Sequence, residues 1–183
     1  MASPRRPRLA VTPGDPRGIG PEVVAKALAL GPLDADIVVI GSGERGWEGT
    51  ASRSLLPEEA GRLAGQAVEQ AVQLARQGKV DAIVTGPVHK HALHLAGFRY
   101  PGLTDLLSHL AGDVDVAMML AAGPLRVTLV TTHIPLKDVP AAVTLAMSSS
   151  IPHAGMINRI PGVGCPPPSL IMIKFAFPGS CQT

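Results

Sequence analysis

Short apolar runs alternate along the chain with longer segments whose apolar residues recur every three or four positions. The short runs predict buried strands at residues 8–13, 35–42, 80–87, 115–123 and 125–133. The periodic segments predict helices at residues 21–30, 57–78 and 89–97, with further helices after residue 104 and from residue 139. This alternation is typical of an α/β fold with a mostly parallel sheet, although the last two strands are close enough to form a hairpin at Gly123-Pro124.

The pattern changes near residue 148. Residues 148–183 are rich in proline and contain both cysteines and two of the three phenylalanines, with one strand-like run at 169–177. We therefore predict two parts, the N-terminal part of an α/β fold at residues 1–147 and an irregular tail at residues 148–183. Because the tail does not continue the alternation of strands and helices, we expect a truncation or a change of reading frame.

Composition and charge narrow the functional class. Apolar residues make up 46% of the chain and aromatic residues only 3%, which predicts a core of Ala, Val, Leu and Ile. The net charge of +2 is too small to indicate nucleic-acid binding, and the basic run at residues 4–8 is expected to be a solvated tail. Neither a signal peptide nor an apolar run of roughly 18 residues is recognisable. A soluble cytoplasmic protein without nucleic-acid or membrane partners is expected.

Two glycine-containing loops follow predicted strands, where parallel sheets bind their ligands. The loop TPGDPRGIGPE, residues 12–22, leads into a helix and either binds an anion or forms a tight turn. Its spacing matches neither GxGxxG nor the Walker loop. The loop VTGPVHK, residues 84–90, presents Lys90, which either meets a phosphate or carboxylate or is a solvated helix start. His91 and His94 are interpreted as surface histidines, because no acidic residue completes a metal set.

Two further residues are candidates for chemistry. Thr104 is placed as the N-cap of a helix, and its hydroxyl is equally suited to bind a ligand. His133 follows the apolar run VTLVTT, so it is expected at the carboxyl end of a strand. A neutral imidazole there binds a divalent metal or merely ends a buried strand, and one histidine does not make a site.

Four stretches occur in a specific order, namely VTPGDPRGIGPEVV, DAIVTGPVHKHAL, PGLTDLL and DVAMMLAAGPLRVTLVTTHIPLKDVPAAVT. Through them, residues 9–144 resemble the 4-hydroxythreonine-4-phosphate dehydrogenase family of vitamin B6 biosynthesis. The resemblance implies the α/β fold of the isocitrate and isopropylmalate dehydrogenases, here truncated to the N-terminal half. It also implies a homodimer with its active site near the subunit interface.

The resemblance implies roles for two residues and assigns no catalytic one. The family holds a divalent metal (Zn, Mg or Co) with histidines, one of them in a TTH motif, which makes His133 the implied metal ligand. The family binds substrate through a GHT turn, which reads Gly102-Leu103-Thr104 here, so Thr104 is implied to bind substrate while Leu103 replaces a polar contact. The family's NAD-binding segment and other two metal histidines lie beyond the stretch that this chain resembles. The IPHAG run at 151–155 is interpreted as a coincidence, because it lies too close to His133.

The activity that the resemblance implies is an oxidation that depends on NAD and a divalent metal. Its substrate would be 4-phosphohydroxy-L-threonine, which is oxidised and decarboxylated on the route to pyridoxal 5'-phosphate. One alternative is a catalytically inactive fragment that binds a phosphorylated ligand or another subunit. The other is a dehydrogenase of a phosphorylated sugar acid, such as erythronate or threonate 4-phosphate.

Overall fold

The computed structural model describes residues 5–41, 54–114, 116, 118–122, 125–131, 134–143 and 170–172. The chain divides into two compact units, Met1–Asp113 and Val114–Thr183. The boundary predicted between residues 147 and 148 lies outside the described residues and stays a prediction.

The first unit is a parallel α/β layer. Its elements are β1 (Arg8–Thr12), α1 (Gly20–Ala29), β2 (Asp36–Val39), α2 (Pro57–Arg76), β3 (Ala82–Thr85), α3 (Lys90–Leu95) and α4 (Leu103–Leu110). The strand order is β2-β1-β3, and both pairings with β1 are parallel. This confirms the predicted α/β class, and the strands are shorter than predicted because only part of each apolar run joins the ladder.

The long helix α2 covers one face of this sheet. Its buried side chains recur at helical spacing, from Ala60 to Val72, as the sequence period predicts. Ala67 and Ala71 form a core cluster with Ala10 of β1 and with Ile40. Small aliphatic side chains let helix and sheet approach closely, which fits the low aromatic content.

Two glycines of α2 allow other segments to approach it. A Cβ atom at Gly61 would lie 1.9 Å from the carbonyl oxygen of Ala92 in α3. A Cβ atom at Gly65 would lie 2.1 Å from the ring of Phe98. These positions therefore need glycine for close contact, which fixes α3 and the segment after it against α2.

Arginines of the basic run tie together the amino ends of β1 and β3. Arg8 Nε and Nη2 donate to the two carboxylate oxygens of Asp81 at 3.2 and 3.0 Å, and the Arg8 backbone N–H donates to the same group at 2.8 Å. Arg5 Nη2 donates to both oxygens at 3.0 and 3.1 Å. The hydrogen bonds from the Arg8 side chain hold the pKa of the Asp81 carboxyl well below its ordinary range.

Arg6 makes a similar contact at the amino end of β2. Its guanidinium donates to the carbonyl oxygens of Leu33 and Ala35 and lies 3.7 Å from the Asp34 carboxylate. Arg5 and Arg6 are exposed, as expected of a solvated segment, but the run is not a loose tail, because its arginines are paired. The physical reason is that carboxylates and carbonyls distant in sequence converge at the amino edge of the sheet.

The second unit contains an antiparallel sheet. Its elements are β4 (Met119–Ala122), β5 (Leu125–Thr128), a 3-10 turn at Leu136–Asp138, α5 (Val139–Ala142) and β6 (Leu170–Met172). The strand order is β5-β4-β6. The antiparallel β4–β5 pairing confirms the predicted hairpin, whose turn at Gly123-Pro124 lies outside the described residues. No helix in the described ranges is long and apolar enough to cross a membrane.

Candidate active site

The loops after β1 and β3 pack directly on each other. The Gly86 N–H donates to the Thr12 carbonyl at 2.6 Å, and the Asp15 N–H donates to the Pro87 carbonyl at 2.9 Å. Gly14 has a φ of +82°, and a Cβ atom there would lie 2.1 Å from the Pro87 oxygen. Of the two interpretations of the loop at residues 12–22, this geometry supports the tight turn, since Gly14 and Gly20 leave no room for a side chain.

A buried carboxylate organises the first of these loops. Asp15 is 5% exposed, and its Oδ1 accepts a hydrogen bond from the Arg17 backbone N–H at 2.8 Å. The Arg17 Nε atom lies 3.6 Å from the same oxygen. A carboxylate that accepts from the N–H two residues on forms an Asx turn. Sequence reasoning missed this pair, although the Asp-Pro-Arg order after a strand is a signal that predicts it.

A cleft opens between α3 and the start of α4. Its volume is about 120 Å³. Apolar side chains make up most of its wall, and Lys90 and His94 are the basic residues that line it. The lining also includes Leu103, the residue that stands in the predicted substrate-binding turn. The cleft follows the carboxyl end of β3, the edge at which open α/β sheets bind ligands.

The histidines around this cleft have mainly structural contacts. His89 is the N-cap of α3, where its Nδ1 accepts the Ala92 N–H at 3.3 Å. His94 Nε2 lies 2.9 Å from the Tyr100 carbonyl oxygen, and since a carbonyl only accepts, this nitrogen is the donor. His91 and His94 are both exposed, which confirms their interpretation as surface histidines.

Thr104 lies at the start of α4, beside the cleft residue Leu103. The N-cap of this helix is Gly102, with an extended φ of −154°, and Thr104 is the second helical residue. The N-cap role predicted for Thr104 was therefore wrong, because the helix begins two residues earlier than the turn pattern indicates. The side chain is half-buried and has no hydrogen-bond partner within the described part of the chain. Among the described residues, nothing competes with a ligand for this hydroxyl.

His133 lies outside the described residues, so its implied metal-binding role stays a prediction. The strand β5 ends at Thr128, so residue 133 is not the immediate end of that strand as expected. Among the described residues, no group of three or more His, Cys, Asp or Glu side chains is arranged to hold a metal. The described part of the site therefore supplies a cleft lined by apolar and basic side chains and no metal-ligand set.

The sequence profile described as "Pyridoxal phosphate biosynthetic protein PdxA" matches residues 28–153. The chain belongs to the PdxA family. This confirms the resemblance that the four ordered stretches indicated.

Relatives and solved structures agree with the membership of the PdxA family. A 4-hydroxythreonine-4-phosphate dehydrogenase of Geobacter metallireducens is 37% identical, over 76% of this chain and 52% of that protein. A D-threonate 4-phosphate dehydrogenase of Salmonella typhimurium is 38% identical, over 70% of this chain and 51% of that protein. The crystal structure of a 4-hydroxythreonine-4-phosphate dehydrogenase from Burkholderia phymatum has 34% identity and a TM-score of 0.66, over 79% of this chain and 55% of that one. The chain thus spans about half the length of the relatives that it matches.

Proposed function

We propose that this chain forms part of a dehydrogenase that oxidises the secondary hydroxyl of 4-phosphohydroxy-L-threonine and releases carbon dioxide. Membership of the PdxA family carries this proposal. A cleft beside Thr104, at the carboxyl edge of a parallel sheet, supports it. The reaction moves a hydride from carbon to NAD and a proton to solvent, and the resulting β-keto acid loses carbon dioxide.

In this proposal Thr104 binds the substrate. Its hydroxyl is half-buried and has no partner among the described residues, so a substrate oxygen can accept its proton. Leu103 lines the cleft next to it and presents hydrocarbon rather than a polar group. The chain thus offers one directed hydrogen bond beside an apolar wall, which orients a substrate that carries both hydroxyls and a carbon chain.

His133 is proposed as one ligand of a divalent metal. A neutral imidazole is a good ligand for zinc and related ions. Such an ion, when bound, lowers the pKa of a coordinated hydroxyl. The described residues do not complete a ligand set for such an ion. Homodimer formation remains part of the proposal as an expectation from the resemblance.

Activity is tested by incubating the 183-residue chain with 4-phosphohydroxy-L-threonine, NAD and magnesium, zinc or cobalt. We expect equal amounts of NADH and carbon dioxide. Thr104→Val keeps the β-branched shape and removes the hydroxyl, so it should raise KM by about tenfold, the effect of losing a hydrogen bond of about 1 kcal/mol or more. Thr104→Ser retains the hydroxyl and is the matched control. The absence of NADH at high protein concentration would instead favour the inactive, ligand-binding fragment.

D-threonate 4-phosphate is the second candidate substrate. A relative named for it is 38% identical to this chain, against 37% for one named for hydroxythreonine phosphate. The two substrates differ at one carbon, which carries a hydroxyl in the first and an amino group in the second. Comparing kcat/KM for both on the same preparation decides between them, and a ratio near one would identify neither as the preferred substrate.

A metal titration tests His133 separately. Isothermal calorimetry with zinc should show stoichiometric binding that His133→Ala removes. His91→Ala is the control, since His91 is an exposed histidine with no metal role assigned. Equal zinc affinity in both variants would show that His133 is not a ligand.

A further inference from the structure

We infer that Lys90 binds an anionic group of the substrate in the cleft between α3 and α4, while the carbon chain lies along Leu103 and Phe98. The inference rests on the proposed function for the nature of the substrate. From the sequence alone, Lys90 is either a ligand contact or a solvated residue at the start of a helix.

The position of Lys90 is the first observation. Lys90 is the first residue of α3, which follows the Gly86-Pro87 turn at the carboxyl end of β3. That turn is held by the hydrogen bonds from Gly86 to Thr12 and from Asp15 to Pro87, so the start of α3 is fixed relative to the sheet. The Lys90 backbone is therefore already ordered, and binding restricts only the exposed side chain.

The charge of Lys90 is not compensated by any described residue. Within the described residues its ammonium group makes no hydrogen bond or ion pair, in contrast to Lys26, which pairs with Glu22 at 2.5 Å. No carboxylate of the described ranges lines the cleft, and the first turn of α3 contains no acidic residue. The side chain therefore brings three hydrogen-bond donors and a positive charge to a cleft with nothing to neutralise them.

The lining of the cleft determines which kind of ligand can reach the Lys90 ammonium group. Leu93 and Leu106, which are buried, and the half-buried Phe98 and Leu103 line the cleft. The other basic side chain, His94, already donates its Nε2 proton to the Tyr100 carbonyl. Lys90 is thus the group best placed to hold an anion, and the adjoining apolar wall suits the short carbon chain attached to that anion. A phosphate or a carboxylate satisfies this chemistry equally.

Binding to charge variants of the whole chain tests the inference. Lys90→Met removes the charge and keeps the length, while Lys90→Arg keeps the charge. Lys79→Met is the matched control, because Lys79 is exposed and precedes β3, whereas Lys90 follows it. Calorimetry with 4-phosphohydroxy-L-threonine should give a Kd about tenfold to a hundredfold higher for Lys90→Met, as expected for the loss of a charged hydrogen bond. Lys79→Met should change the Kd less than about twofold, and Lys90→Arg should recover most of the affinity.

Two simpler probes identify the anionic group. If Lys90 holds the phosphate, inorganic phosphate competes with the substrate in the wild-type chain and not in Lys90→Met. If Lys90 holds the carboxylate, unphosphorylated D-threonate competes with the substrate in the wild-type chain and not in Lys90→Met. Either result supports a role for Lys90.

Equal affinities of Lys90→Met and Lys79→Met would overturn the inference and leave the proposed dehydrogenase activity standing. The absence of substrate binding by the wild-type chain would overturn it as well. Conversely, binding that depends on Lys90 without formation of NADH would refute the proposed activity and retain Lys90 as an anion-binding residue.

Discussion

Replacing Asp81 with asparagine tests how the amino ends of β1 and β3 are joined. Asp81 accepts hydrogen bonds from the Arg5 and Arg8 side chains and from the Arg8 backbone N–H. Asparagine keeps the size and one carbonyl acceptor, but its amide N–H groups face guanidinium donors. Asp81→Asn therefore removes the negative charge and places the amide N–H donors against the guanidinium N–H donors, with little change in packing.

The expected loss of stability is modest because the carboxylate is 40% exposed. Exposed ion pairs generally contribute about 0.2–1 kcal/mol each, since water screens them. Asp81 serves two guanidinium groups and a backbone N–H, so we expect Asp81→Asn to lower the free energy of unfolding by about 1–2 kcal/mol. Raising the salt concentration should reduce this difference, as it does for exposed charges.

Urea denaturation followed by circular dichroism measures the effect. Asp34→Asn is the matched control, because Asp34 is 84% exposed and lies 3.7 Å from its arginine partner. We expect the control to lose less than about 0.5 kcal/mol. If the two variants lose the same amount, the Asp81 contacts do not stabilise the fold and the reasoning is wrong.

The same variant has a defined pH dependence. Folding lowers the pKa of the Asp81 carboxyl from its ordinary value of 3.8. A carboxyl whose pKa is lower in the folded state stabilises the protein fully above its unfolded-state pKa, and this stabilisation is lost as the pH falls towards the folded-state pKa. The stability difference between the wild-type chain and Asp81→Asn should therefore be constant near neutral pH and shrink below about pH 4. A difference that persists unchanged in acid would show that it does not arise from the ionised carboxylate.

Three further changes test the packing of the first unit. Gly61→Ala should destabilise the fold by about 1–3 kcal/mol in urea denaturation, because the new methyl group meets a backbone carbonyl. Gly65→Ala should cost less in the same measurement, since the obstacle is the ring of Phe98, which can shift; the reverse order would contradict this account. Asp15→Ala should lower the unfolding free energy by about 1–3 kcal/mol because it leaves the Arg17 backbone N–H without its acceptor. Asp15→Asn retains the acceptor, so equal thermal denaturation midpoints for these two variants would refute the role of the Asx turn.

The sequence predicted the helices of the first unit well, for a physical reason. The helix α2 buries one stripe of small residues, so its period is visible in the sequence, and the predicted end at Gly78 is two residues past the observed end at Arg76. The strands are shorter than predicted. An apolar run indicates which residues are buried, but not which of them form hydrogen bonds to a neighbouring strand. The strand predicted to run to His133 ends at Thr128 for this reason.

The candidate site was predictable only in part. A strand followed by a glycine turn correctly indicated the carboxyl edge of the sheet, and it placed Lys90 beside a cleft. The sequence predicted Thr104 as the N-cap of α4, but the N-cap is Gly102. Threonine and glycine are both common N-cap residues, so residue type alone does not distinguish the two positions. The contact of Arg8 with Asp81 joins residues 73 positions apart, so no local pattern predicts it.

The two ends of the parallel sheet hold their loops in opposite ways, and this contrast indicates where ligands bind. At the amino end, three arginines are paired with three carboxylates, so charge is neutralised within the chain: Arg5, Arg6 and Arg8 with Asp34, Asp36 and Asp81. At the carboxyl end, backbone hydrogen bonds, closely packed glycines and the Asx turn of Asp15 hold the loops. Lys90 and Thr104 are therefore left without partners among the described residues. Polar groups held in place but unsatisfied by the protein lose less on binding than groups that must first break internal contacts, so this edge is suited to a polar, anionic substrate.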